Sequence, residues 1–300
     1  PIHLSFKSEV NNGNTVSVVI PNVKNSDGNV TTHLGATATI LIDDYLTSLY
    51  TLNGDTYYTN LDGKTIDGAG VLHITGKGDA NLELANVSTS GTLDVDITDG
   101  DTTLSNVGVN VDASGSSSAI TINSSSLTLS HTGGSGSDIL VYGGGSGTYT
   151  GTLSSIDVVS SANNLSFTGS QLSGQTIDFD GAGNITITSV NAGDDYSNLT
   201  SSGGGTLIAN IASDLTFTGT PATAVPFSLS ADNVTLTSSA AKMSGITVID
   251  SANVTTMAVT ALDATLAADL SNLSADSVTA AFDNSGTFTG NLGSAVVTVA

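Results

Sequence analysis

Apolar and polar residues alternate in short runs along most of this chain. Leu165 and Phe167 alternate with Ser166 and Thr168, Ile177 and Phe179 with Asp178 and Asp180, and Ile185 and Ile187 with Thr186 and Thr188. A period of two predicts β-strands with one apolar face. The runs end in Gly, Asn or Asp, which accept tight turns and positive φ. From Ala119 onward such runs (AITI, LTLS, ILVY, LSFT, ITIT, LTFT, VTLT, VVTV and others) fall roughly every 8–12 residues, the spacing of an all-β fold.

A longer rhythm lies over the alternation. Asn164 opens NLSFT and Asn184 opens NITIT, while Asn86, Asn106, Asn233, Asn253 and Asn272 open similar units at gaps of about 20 residues. Two strands per period make one coil of a β-solenoid, and stacked coils bury an apolar face that a single coil cannot bury alone. The expected fold is therefore all-β. It is a right-handed parallel β-helix of roughly eleven coils over residues 61–300, with an atypical N-terminal β cap or assembly segment at 1–60. Leu165, Phe167, Ile177, Phe179, Ile185, Ile187, Leu215, Phe217, Val234 and Leu236 are expected to point inward, and the aspartates that alternate with Leu93, Val95 and Ile97 outward. Immunoglobulin-like sandwiches fit the strand spacing as well. They fit poorly with the absence of Trp, the few aromatic and Pro residues and the short rhythm.

Two stretches depart from the pattern. In residues 1–60 the rhythm is not evident. Strand candidates there are 3–6, 15–20 and 36–42, and 43–52 reads as a short helix behind an Asp cap or as another strand. Terminal units of solenoids are commonly atypical. Near the other end, Leu262, Leu266, Leu270 and Leu273 recur at helical spacing, which predicts a local helix within 261–273.

Charge narrows the partners. The net charge is −22, with five Lys and no Arg. Nucleic acid and anionic membranes are held by basic side chains, so neither is an expected partner, whereas cations are. Of the 27 acidic residues only Glu9 and Glu83 are Glu, and Asp suits turns and metal ligation better than helices. There is no Cys, so neither disulfides nor thiolate metal sites operate, and no apolar run is long enough to span a membrane. A long Cys-free, Asp-rich chain fits a bacterial or archaeal exported protein, at the cell surface or outside it. Beginning at Pro1 with no visible signal peptide, it reads as processed, trimmed or a fragment.

The sharpest local motif is Gly133–Gly134–Ser135–Gly136–Ser137–Asp138–Ile139–Leu140–Val141. It matches every defined position of the nonapeptide G-G-x-G-x-D-x-U-x. In these nine residues the chain resembles the repeats-in-toxin (RTX) family of secreted calcium-binding proteins, its surface-layer and adhesin relatives in particular. The resemblance implies Ca²⁺ held by Asp138 and by backbone oxygens around Gly134 and Gly136, with ligands from neighbouring turns. The next turn, Gly143–Gly144–Gly145–Ser146–Gly147, keeps the glycines and lacks the Asp. A second candidate for metal is DVDITDGD, with Asp94, Asp96, Asp99 and Asp101, which lacks the EF-hand spacing and its final Glu. The pairs Asp43–Asp44 and Asp194–Asp195 read as solvated turns.

Catalytic patterns are missing from the sequence. Parallel β-helix enzymes that cleave polysaccharides resemble this chain in coil length only, and their clefts set Arg or Lys beside acids. His3, His33, His73 and His131 are scattered, each read as a turn or strand-face residue, and no G-x-S-x-G, H-E-x-x-H or phosphate loop occurs. The chain is read as no enzyme. Nine N-x-[ST] sequons, Asn29, Asn86, Asn164, Asn184, Asn233 and Asn253 among them, would mark a secreted surface if glycosylated. They are read instead as solenoid grammar, with Asn side chains hydrogen-bonding from coil to coil. The terminal SAVVTVA resembles the ends of type I-secreted surface-layer proteins.

The expected function is a structural subunit of a self-assembling, cation-stabilised extracellular layer, filament or matrix. Its partners would be copies of itself and a cell-surface polysaccharide. The alternative is an adhesin stalk or passenger, whose recognition face would have to use Tyr45, Tyr50, Tyr57 and Tyr58.

Overall fold

A computed structural model describes residues 16–19, 31–34, 38–41, 65–68, 72–77 and 80–299, the last with gaps at 86, 90, 263–266 and 283–287. The architecture is the expected one: a parallel β-solenoid of about ten turns with almost no helix. Among the described residues no helix is long and apolar enough to cross a membrane. Contacts divide the chain into two units, residues 1–145 with 150–160, and residues 146–149 with 161–300.

In the first unit Leu72–Lys77, Thr92–Asp99, Asn110–Asp112, His131–Thr132 and Leu153–Ser154 stack in parallel into one sheet. Ala80–Glu83, Thr102–Val107, Ile120–Ser124 and Ile139–Tyr142 stack into another. Register preserves the in–out alternation from turn to turn. Leu82, Leu104, Ile122 and Leu140 lie on successive strands, and all are fully buried. A slip of one residue would turn such a column to water, so the apolar stack itself fixes the register. Leu93, Val95 and Ile97 point inward, while Asp94 and Asp96 stay partly exposed, as the alternation predicts.

The N-terminal segment carries the same kind of pairing. Val16–Val19, within the candidate 15–20, runs parallel to Ala38–Leu41, within the candidate 36–42. Thr31–Leu34 pairs in parallel with Thr65–Gly68, which pairs with Val87–Thr89. The rhythm invisible in the sequence therefore has a structural counterpart here. Residues 3–6 and 43–52, along with His3, Asn29, Asp43, Asp44, Tyr45, Tyr50, Tyr57, Tyr58 and Asn86, lie outside the described residues.

In the second unit Leu165–Thr168, Ile185–Thr188, Leu207–Ile211, Phe227–Leu229 and Val248–Asp250 form one parallel stack. Leu215–Phe217, Val234–Ser239, Thr255–Leu262, Ser277–Phe282 and Val296–Val299 form another. Of the ten residues expected to point inward, nine are buried. The tenth, Leu215, is half-buried, because it starts its strand at the rim of a shallow pocket shared with Ser189, Val190 and Asn210. Aromatic rings fill the interior in two runs. Phe167 lies 5.4 Å from Tyr149 and 5.8 Å from Phe179, and Phe217 lies 6.4 Å from Tyr196 and 5.1 Å from Phe227.

Side chains tie the turns together where strands begin. The Asn164 N–H donates to Ser146 Oγ (3.1 Å), the Asn184 N–H to Asn164 Oδ1 (2.9 Å) and the Thr206 N–H to Asn184 Oδ1 (3.0 Å), at sequence separations of 18, 20 and 22. Each bond satisfies a backbone donor just outside the regular ladder. This is the physical content of the repeated Asn: its amide oxygen is an acceptor for the coil above.

Among the described residues of 261–273 there is no helix. Leu262 ends the strand Thr255–Leu262, Leu270 and Leu273 are buried, and single parallel bridges join Asp269 to Asn291 and Val248 to Leu273; Leu266 lies outside the described residues. Leu262, Leu270 and Leu273 occupy inward positions of the stacked coils, and there the stacking overrides the local helical period. Among the described residues two one-turn helices appear elsewhere, Gly169–Leu172 and Ala240–Met243. Each leaves a strand, buries its last residue (Leu172, Met243) and is followed by Ser–Gly, with Gly174 and Gly245 both at φ +74°. That positive φ is a conformation glycine adopts without a Cβ penalty.

Candidate functional site

The glycine motif forms a turn wedged between neighbouring coils. A Cβ on Gly134 would lie 2.1 Å from the carbonyl oxygen of Ser116, one on Gly136 2.3 Å from that of Ser118, and one on Gly133 2.0 Å from that of Ser155. Glycine is needed because three backbones meet there. Asp138 closes the turn and is fully buried. Its Oδ1 accepts the N–H of Ile120 at 2.7 Å, and its Oδ2 accepts the N–H of Gly134 at 2.5 Å. One coil further on, Asp157 Oδ2 accepts the N–H of Asp138 at 2.8 Å. Burial pushes the Asp138 carboxyl up, the two N–H bonds pull it down, and the charge of Asp157 adds to the upward push; the net direction is up.

The carboxylate thus does in this turn what the Asn side chains do elsewhere, capping donors that the ladder leaves over. Each carboxylate oxygen accepts one backbone N–H, and the glycines are packed against the neighbouring coils.

The other acidic candidates are dispersed. Asp94 and Asp96 project from the outer side of Thr92–Asp99, Asp99 ends that strand opposite Lys77, and Asp101 is exposed with the Ala119 N–H 3.4 Å from its Oδ1. Among the described residues no three His, Asp or Glu side chains come together that could hold a metal ion. Asp194 is buried rather than a solvated turn residue. Its Oδ2 accepts the Asn191 N–H and the Tyr196 O–H, both at 2.8 Å.

Of the histidines, His33 and His73 lie in strands. His131 lies at an inward position between Val111 and Leu153, fully buried, with neither ring nitrogen hydrogen-bonded. Its place in the rhythm, one coil from two apolar residues, was the available signal.

A second feature missed from sequence is an uncharged surface. On the outer side of the sheet that runs from Leu215–Phe217 to Ser277–Phe282, Thr216, Thr237, Ala258 and Thr279 lie in one column. Thr235, Thr256 and Ser277 lie in a second column, and Ser239 and Thr260 in a third. Strand geometry spaces the rows about 4.8 Å apart and the columns about 6.7 Å apart. Val296 extends the first column, 66% exposed, and Val254 precedes the strand of Thr256, 51% exposed. No charged side chain occupies these positions, although the chain carries a charge of −22. Acidic groups stand at the border, where Asp214, Asp232 and Asp276 accept the N–H groups of Thr235, Asn253 and Thr255. The signal was available in the alternation: the polar positions of VTLTSS and TTMAVT are Thr, Ser and Ala, where TLDVDITD has Asp.

No protein-family model matches the chain, and no curated protein and no solved structure matches it either.

Proposed function

We propose that the chain is a structural subunit of an extracellular layer, filament or matrix built from copies of itself. The uncharged outer face of the second unit carries this reading. Copies with a net charge of −22 repel one another wherever acidic turns meet. The core of a protein interface is marked by depletion of charge, with a polar rim around it. The threonine columns, two exposed valines and an Asp border have that anatomy, and small side chains at regular spacing allow close approach of two flat sheets.

Cations complete the picture. Calcium, a hard ion that seeks oxygen ligands, bridges Asp-rich borders and turns between copies and lowers their repulsion. Residues 1–60 supply a second contact, because Val16–Val19 and Ala38–Leu41 can extend a neighbour's ladder by strand addition. A location outside the cell accords with the Cys-free, acidic composition and with the RTX-like motif at Gly133–Val141. In that setting a cell-surface polysaccharide is the anchoring partner.

Electron microscopy and light scattering of the full chain in millimolar calcium test the reading, beside a version lacking residues 1–60 and a Thr237→Asp variant. Regular layers or filaments are expected from the full chain. Thr237→Asp, which sets a charge at the centre of the face while leaving the interior untouched, is expected to abolish them with an unchanged melting temperature. Monomers from the full chain at high concentration would favour the adhesin instead.

A further inference from the structure

Burial of an unpaired polar group is costly, and such groups are rare in folded proteins. His131 is one of them. It interrupts an apolar column, with Leu93 and Val111 on one side and Leu153 on the other. The titratable groups around it offer no compensation. In the flanking strand Asn110–Asp112, Asp112 is in register with Thr132 on the outer side of the sheet, and Leu153–Ser154 contributes none. In the other sheet, Ile120–Ser124 contributes none, and Ile139–Tyr142 contributes Tyr142, whose hydroxyl donates to the Gly145 carbonyl. In the turn that follows, Asp138 is held by two backbone N–H groups, and Asp157 accepts the Asp138 N–H.

We propose that His131 is an acid-operated switch: on taking up a proton it forces apart the turns stacked on it and opens the first unit. The neutral ring tolerates the apolar column, whereas the imidazolium finds neither water nor a counter-charge there. Desolvation holds the ring's pKa down at about 4, against 6.5 when it is free. A group with a lowered folded-state pKa protonates first in the open form. The closed form is therefore fully favoured above pH 6.5 and loses ground as pH falls from there to about 4. Asp138 works in the opposite direction, since its raised carboxyl takes up a proton more readily in the closed form. Variants at His131 leave Asp138 in place and so isolate the imidazole. The switch concerns the opening of a coil and stands apart from contacts between copies.

The experiment is denaturant unfolding of the full chain at pH 7 and pH 4.5, in wild type, His131→Leu and His131→Gln. Amide exchange at Val111, His131 and Gly133, whose N–H groups donate to the Ser130, Thr152 and Ser154 carbonyls, is followed in parallel, corrected for intrinsic rates. The folding equilibrium constant of the wild type should fall between the two pH values on the order of 50-fold further than that of either variant. The three amides should lose protection in acid in the wild type alone. If one variant fails to fold, the other decides. Equal falls in wild type and variant, or amides that stay protected at pH 4.5, would overturn the proposal.

Discussion

Replacing Asp138 with alanine should destabilise the fold by about 3 kcal/mol, because two N–H groups, one buried and one half-buried, lose their acceptor together and each orphaned donor costs about 1–3 kcal/mol. The Ile120 and Gly134 amides have no alternative partner within a turn held shut by the Ser116, Ser118 and Ser155 carbonyls. Removing a carboxylate from a dry site returns some stability, which keeps the sum below the upper end of that range. Asp138→Asn should be nearly as damaging, since an amide offers one acceptor where two donors converge. Denaturant unfolding in chelator and again in calcium separates the two roles of this side chain. A backbone cap predicts the same loss in both; a loss confined to calcium would mean that the carboxylate's main partner is the ion.

Phe167→Ala should cost more, about 3–5 kcal/mol, the usual range for emptying a large aromatic site in a core. Phe167 is fully buried between Tyr149 and Phe179, and its strand is locked in register with Ile185–Thr188. Relaxation is limited because the coil backbone above and below is fixed by its own ladder, so the cavity stays open. Phe167→Leu should cost much less, about 1 kcal/mol, as most of the volume is kept. Equal melting temperatures for the alanine variant and the wild type would mean that the ring is not where the structure places it.

The sequence made the solenoid readable because one signal repeats at two scales. Alternation told which face of LSFT or ITIT is buried, and the recurring Asn told how far apart the coils lie. Both are local properties, and stacking multiplies them. What escaped is long-range. The donors that Asp138 caps are set by which glycine turn lies on which coil, and the nine residues of the motif do not contain that information. His131 looks like any polar residue in SHTGG until its column with Val111 and Leu153 is known. The leucines from Leu262 to Leu273 carry a helical period, yet at Leu262, Leu270 and Leu273 partners one coil away decide the conformation. The uncharged face required knowing that the outward threonines of four strands share one surface.

Sedimentation velocity of the full chain tests the central claim, that this acidic solenoid associates with itself under the control of cations. It would be run at low ionic strength, then in sodium chloride, then in calcium chloride of equal ionic strength. The account predicts monomers at low salt, partial association in sodium and large assemblies in calcium, with Thr237→Asp sedimenting as a monomer throughout. A wild-type chain that remains monomeric in calcium at high concentration would contradict it.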